Sequence, residues 1–186
     1  MNNQHLNEKK SRFSVDYFEK MHIIKNRKED EVAIMLIQFN FKNFRSFREE
    51  VTLDLSATKM TEFSERVVTI GSEKILPVAA IYGANASGKS NIYSAFEYMA
   101  EYVVDSFKYG DEEEKFEEYR PTPFLFDSTS SDAESSFEVY FTIPGDKNER
   151  TYNYGFCVDQ EGVTEEWLNS KAKTARKYST VFYRGN

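Results

Sequence analysis

The stretch Ile75-Leu76-Pro77-Val78-Ala79-Ala80-Ile81-Tyr82 runs without a break into Gly83-Ala84-Asn85-Ala86-Ser87-Gly88-Lys89-Ser90-Asn91. The first eight residues are almost wholly apolar, and such a run reads as a strand with both faces buried. The next eight follow the spacing G-x-x-x-x-G-K-S, the pattern of a phosphate-binding P-loop. The geometry of the task requires that spacing. Glycines let the backbone turn back on itself, so that consecutive N–H groups point into one concavity at the positive end of the following helix. On this reading Gly83, Asn85, Ala86, Ser87, Gly88 and Asn91 frame the phosphates, and Lys89 reaches the β- and γ-phosphates. The Ser90 hydroxyl is the magnesium ligand. The ligand implied is a purine nucleoside triphosphate with Mg. The competing reading, a glycine-rich turn with an incidental Lys-Ser, loses weight because a strand leads in and a helix leads out.

That helix is legible from Ile92, Ala95, Phe96, Met99 and Val103, which repeat at helical spacing as one buried stripe running to about Phe107. Upstream the period is two. Ile37, Phe39 and Phe41 share one strand face, a second strand places Val51, Leu53 and Leu55 inward, and Val67-Val68-Thr69-Ile70 is a short strand before a Gly71-Ser72 turn. Downstream, Phe137, Val139, Phe141 and Ile143 alternate with polar residues, Pro144-Gly145-Asp146 opens a turn, and Tyr152, Tyr154, Phe156 and Val158 alternate again. These two segments predict a hairpin. Val163 to Leu168 and Ser179 to Tyr183 read as further strands. The aromatic residues of this half and Trp167 fit cross-strand packing better than a base-stacking platform. The fold class expected is α/β, with antiparallel hairpins around one P-loop helix.

Composition narrows the function classes. The 186 residues suit one domain with or without an appendage, and a 30% charged fraction with no long apolar run argues for a soluble chain without a membrane span. Residues 1–5 lack the apolar centre of a secretory signal, so a cytoplasmic protein is expected. The lone Cys157 agrees, since it cannot form an internal disulfide, and it reads as a small strand residue. Net charge is -7, of which Asp111-Glu112-Glu113-Glu114-Lys115-Phe116-Glu117-Glu118 supplies six negatives and one positive. The rest is nearly balanced and offers no broad cationic surface, so nucleic acid is not indicated as a partner. The acidic run reads as a solvated loop or helix end, with docking to a basic partner as the alternative.

Met35 divides the chain. Phe13, Tyr17, Phe18, Met21 and Ile24 fall at helical spacing after a candidate N-cap, Ser14, and a polar linker follows. Residues 1–34 are therefore expected to be an N-terminal extension, helical or disordered, with Met35 a candidate start. Residues 35–186 are expected to be a partial nucleotide-binding domain that carries the P-loop.

The letters Gly-Ala-Asn-Ala-Ser-Gly-Lys-Ser-Asn, with Phe41-Lys42-Asn43-Phe44-Arg45-Ser46-Phe47 before them, resemble the ABC-like P-loop ATPases related to SMC and RecF proteins. Within these the chain is similar to the AAA-type AbiLi and RloA proteins associated with phage resistance, from about Met35 onward. The later strands, with Tyr152-Asn153-Tyr154-Gly155-Phe156 and Glu165-Glu166-Trp167-Leu168, are similar to the family's β-rich lobe. Ala86 stands where the SMC pattern usually has glycine, as looks typical of the AbiLi-like group. The resemblance implies ATP rather than GTP, and implies that Arg45 approaches the phosphates, as a paired-donor guanidinium can. A surface arginine in a hairpin turn is the plainer alternative. By resemblance, two nucleotide-bound heads sandwich ATP, so a homodimer or an effector partner such as a nuclease is implied for the complete protein.

The resemblance also implies parts that the sequence does not display. Hydrolysis in this class needs an apolar strand ending in Asp-Glu, a signature motif and a switch histidine, yet His5 and His22 both precede the loop. Phe124-Leu125-Phe126-Asp127 is the nearest imitation of the acidic strand, with Ser128 where Glu should stand. Catalytic residues are therefore unassigned. Two expectations follow: an N-terminal lobe of an ATPase completed elsewhere, or a nucleotide-binding remnant or sensing module that holds ATP without hydrolysing it. A small kinase fits poorly, because such enzymes alternate strands and helices around a parallel sheet.

Overall fold

In the computed structural model, residues 34–57, 62–109 and 120–185 are described. The expected helix over 13–24 and the acidic run 111–118 lie outside them. The described elements are β1 Met35–Lys42, β2 Val51–Asp54, β3 Val68–Ile70, β4 Glu73–Ile75, α1 Lys89–Tyr109, a short α2 Ser128–Ser131, β5 Ser135–Thr142, β6 Thr151–Val158, β7 Val163–Lys171 and β8 Ser179–Gly185. Six strands form one antiparallel sheet in the order β2-β1-β5-β6-β7-β8, and β3 with β4 makes a separate ribbon.

Alternation in the sequence explains the sheet. The long strands turn Phe39, Phe41, Phe137, Phe141, Tyr152, Tyr154 and Phe156 to one face, and cross-strand pairs such as Phe41 with Phe137, Phe137 with Phe156, and Tyr154 with Leu168 set those side chains in register. Helix α1 lies across that face. Phe96 meets Phe39 edge-on at 5.3 Å, Tyr98 tilts onto Phe137 at 4.9 Å, and Tyr102 stacks on Phe156 at 5.0 Å. Ala95, Met99 and Val103 complete the helical stripe within the buried cluster. Each large side chain so buried contributes about 1.5–3 kcal/mol. The seam that fixes the helix on the sheet is thus mostly aromatic, and the downstream aromatics serve packing. Burial pushes the Tyr102 hydroxyl up to about 12, with Arg184 partly offsetting it.

Two expectations need correction. The run Ile75–Tyr82 is not a buried strand: only Ile75 belongs to β4, and the residues after it are open, with Val78 77% and Tyr82 90% exposed. Among the described residues the backbone of 77–82 enters no backbone hydrogen bond, the last before it being Leu76 N to Leu55 O. A strand needs a neighbour. β1 already has β2 on one side and β5 on the other, β4 is committed to β3, and Pro77 brings no N–H. The second correction is smaller. A register shift between Leu36 and Gln38 lets Leu36 pack on the core with Phe39 and Phe41, while Ile37 is buried outside that cluster.

The other sheet face carries a polar ladder. Gln38 donates to Asn40, Asn40 and Asn153 both donate to the Glu138 carboxylate at 2.9 and 2.7 Å, and Asn169 donates to Asn153. These bonds cross β1, β5, β6 and β7, so the amides tie the strands laterally where the aromatics tie them to the helix.

Cys157 lies buried on β6. Burial, then the carboxylates of Glu134 and Glu165, push its thiol up to about 12, which leaves almost no thiolate at neutral pH. A thiol-specific disulfide reagent at pH 7 is therefore expected to label Cys157 only as the chain unfolds, in step with the denaturation curve. Labelling of the native chain at the rate of free cysteine would contradict this packing.

Candidate functional site

The loop 83–90 closes directly onto the N-terminus of α1, whose 21 residues begin at Lys89. Two backbone bonds shape it: Ser87 N to Ala84 O at 3.3 Å and Asn91 N to Gly88 O at 2.9 Å. Ala86 and Gly88 both take positive φ, 63° and 87°. Alternating hand along the chain curls successive N–H groups toward one side, the arrangement that makes an anion cradle. Gly88 has no substitute here. A Cβ on it would stand 2.8 Å from Phe47 Cζ and 3.0 Å from Ser46 Oγ. Gly83 is similarly confined, with Ser87 Oγ 2.9 Å from where its Cβ would be. Ala86 adopts the left-handed conformation with a Cβ, at a cost of about 1–2 kcal/mol. This is the position where the resembling SMC pattern carries glycine.

Lys89 folds back over the loop. Its Nζ donates to the carbonyl oxygens of Gly83, at 2.9 Å, and Ala84, and lies 3.4 Å from Ser87 Oγ. The ammonium is held at the rim of the concavity by neutral acceptors. A cavity of about 240 Å³ lies beside it, lined by Ser46 and residues 86–91. Ser90 is exposed at the first turn of α1. Asn85 is exposed within the loop, and Asn91 turns its amide to Ser46 Oγ at 2.8 Å. Of the loop residues singled out in the sequence, those from Ala86 to Asn91 line the cavity and Gly83 and Asn85 do not, and the buried strand expected to lead into the loop is absent.

The turn between β1 and β2 supports the loop from the side. Phe44 and Phe47 bond each other's backbones, and Arg45 N donates to Thr122 O at 2.8 Å. Phe47 packs edge-on against Phe41 and lies over Gly88. Arg45 takes φ 50°, places its guanidinium over the Phe44 ring, and donates from Nη1 to Ser94 Oγ at 2.9 Å. Ser94 lies one helical turn beyond Ser90, so Arg45 flanks the loop along α1 without lining its cavity. Residues 124–127 do not form an acidic strand. Leu125 and Phe126 are exposed, and Asp127 caps α2 by accepting from Thr129 while Arg48 approaches at 3.3 Å. The Thr129 backbone N–H, before any other group, holds the Asp127 carboxyl below its ordinary range.

The reading of residues alone missed Asn43 and Ser46. Asn43 is 3% exposed at φ 52°. Its Nδ2 faces the carbonyls of Ser130, Ala133 and Glu134, its Oδ1 accepts from Phe124 N, and its own carbonyl accepts from Ser135 Oγ at 2.6 Å. Asparagine's enrichment at positive φ, in a turn followed by Phe-Arg-Ser-Phe, was the available signal. Its partners, more than eighty residues away, were not.

A glycine-bounded loop feeding a helix N-terminus, on a mixed α/β frame, defines a protein of the P-loop NTPase class. A family model described as "AAA domain, putative AbiEii toxin, Type IV TA system" matches residues 78–186, more than half of the chain, and the chain belongs to that family. No curated protein matches. The match starts inside the apolar lead-in and so leaves out β1 and β2, whose turn presses on the loop. Among the described residues, no helix is long and apolar enough to cross a membrane.

Two outcomes are expected from this geometry. Gly88→Ala should lower the melting temperature by a few degrees in scanning calorimetry, because the added Cβ meets the Phe47 ring at 2.8 Å at a backbone φ of 87° that suits glycine. Asn43→Ala should cost about 2–4 kcal/mol in denaturant unfolding, since it strands buried carbonyls and a buried N–H at once.

Proposed function

We propose that the chain is an ATP-binding lobe of an ABC/SMC-like AAA ATPase, in which residues 83–91 hold the polyphosphate of Mg-ATP. The observation that carries this is the curled loop at the head of α1, with Lys89 poised at its rim. The residues fit the ligand. Ala86 and Gly88 take the positive φ that lets a loop curl around an anion, a Cβ at Gly88 would collide with Phe47 and Ser46, and Lys89 rests on two neutral carbonyls that a phosphate oxygen outcompetes as a charged acceptor. Ser90 would hold magnesium, which, when bound, neutralises charge shared by the β- and γ-phosphates. Arg45 would approach the phosphates by releasing Ser94.

Hydrolysis, on this reading, belongs to the complete protein, where an acidic strand, a signature motif and a second head complete the site, with residues 35–186 as the partial domain and 1–34 as an extension. The family's description as a putative toxin of a toxin-antitoxin system supports a role in phage defence, exerted through a homodimer or an effector such as a nuclease. One observation favours the second reading, a module that senses ATP without turning it over. Asp127, at the end of the nearest imitation of the acidic strand, is occupied as a helix cap and ion-pair partner.

Calorimetry with the purified chain should detect weak Mg-ATP binding that disappears in Lys89→Ala, and turnover should be negligible. Binding that survives Lys89→Ala would remove the loop from the site. Steady-state hydrolysis abolished by Lys89→Ala would show that the chain contains its own catalytic carboxylate.

A further inference from the structure

Gly88 sits in the loop at φ 87°, a conformation that glycine shares with many others and leaves freely unless something holds it. One backbone bond restrains it, Asn91 N to Gly88 O at 2.9 Å. The Phe47 ring supplies a wall beside it, with Cζ 2.8 Å and Cε2 3.2 Å from the point a Cβ would occupy. That ring is itself fixed. It meets Phe41 edge-on at 5.3 Å, Phe41 stacks on Phe39 at 5.5 Å, and both of those rings lie in the buried core. Paired backbone bonds between Phe44 and Phe47 close the turn that presents it. Three rings in line thus connect the sheet interior to a glycine in the loop. Phe47 is only partly buried, and its leading atom, Cζ, is the one directed at Gly88.

Resting on the reading of residues 83–91 as a phosphate cradle, we propose that Phe47 is a positioning residue for the bound polyphosphate. Its ring removes conformations that Gly88 would otherwise visit, and so keeps the amides on either side of Gly88 in the curled form that receives the anion. A loop ordered before the ligand arrives loses less conformational freedom on binding, and the difference appears as affinity. Phe47 does not line the cavity. It acts through Gly88 and touches no ligand atom, so its effect is the same for every ligand that fills the cradle.

The test is calorimetry on the full chain with Mg-ATP and Mg-pyrophosphate, with melting curves alongside. Phe47→Leu, which keeps an apolar side chain and removes the ring, is expected to weaken both ligands about tenfold, the scale of a modest loss of pre-organisation. Phe47→Tyr keeps the ring and adds a hydroxyl at Cζ, the atom nearest Gly88, so it should weaken both ligands as well. It also provides a reading if Phe47→Leu folds poorly. Phe182→Leu removes a partly buried ring from β8, at the far edge of the sheet; it should lower the melting temperature as Phe47→Leu does and leave both affinities within about twofold. Wild-type affinity in either Phe47 variant would overturn the proposal by making the ring core filling alone. Loss for Mg-ATP with pyrophosphate unchanged would overturn it in favour of a base or sugar contact. An equal loss in Phe182→Leu would overturn it by showing that any loosening of the sheet weakens the site. Failure of the wild-type chain to bind either ligand would instead sink the reading of the loop itself.

Discussion

The buried amide of Asn43 is the constraint from which the rest of the site follows. It faces three carbonyls of the segment around α2 and accepts the Phe124 N–H, so a turn near the start of the sheet is bound to a stretch more than eighty residues later. An amide has both donors and an acceptor, and few side chains of its size could satisfy both sets of partners. Because Asn43 is held, the residues after it have little freedom. Phe47 falls onto Gly88, Ser46 onto the cavity, and Arg45 onto the flank of α1. A polar knot in the core therefore sets the shape of a loop forty residues further along the chain.

The loop itself carries a visible tension. Ala86 holds a conformation that suits glycine, and Lys89 satisfies its ammonium on carbonyls of its own loop. Both features persist because α1 is anchored by aromatic contacts along its length, which fixes the helix start and leaves the loop little choice of path. The lysine's bonds are internal and neutral. On the proposed reading, an incoming phosphate would exchange them for stronger, charge-assisted ones.

Much of this was legible in the letters. The hairpins could be read because antiparallel strands with one face on a helix leave a period-two record, and the stripe Ile92 to Val103 left the helical one. Loop and glycines were legible because their chemistry is local. What escaped was relational. An apolar run such as Pro77 to Tyr82 states that it is apolar, not that a neighbour is at hand to pair with it, and the slip between Leu36 and Gln38 exists only in register with β5. Asn43 looked like a turn residue because its partners are distant in sequence. Asp127 resembled the end of a strand, and its actual work as a helix cap depends on Thr129 and Arg48.

The open lead-in has a practical meaning for the life of the molecule. Backbone that is accessible and makes no backbone hydrogen bond is open to a protease cleft, so cleavage there requires no prior unfolding. A cut between Pro77 and Tyr82 would sever the loop and its helix from β1 to β4 while the aromatic seam still held the pieces together. The nicked species would keep its size and much of its circular dichroism while its phosphate cradle had lost the covalent tether on one side.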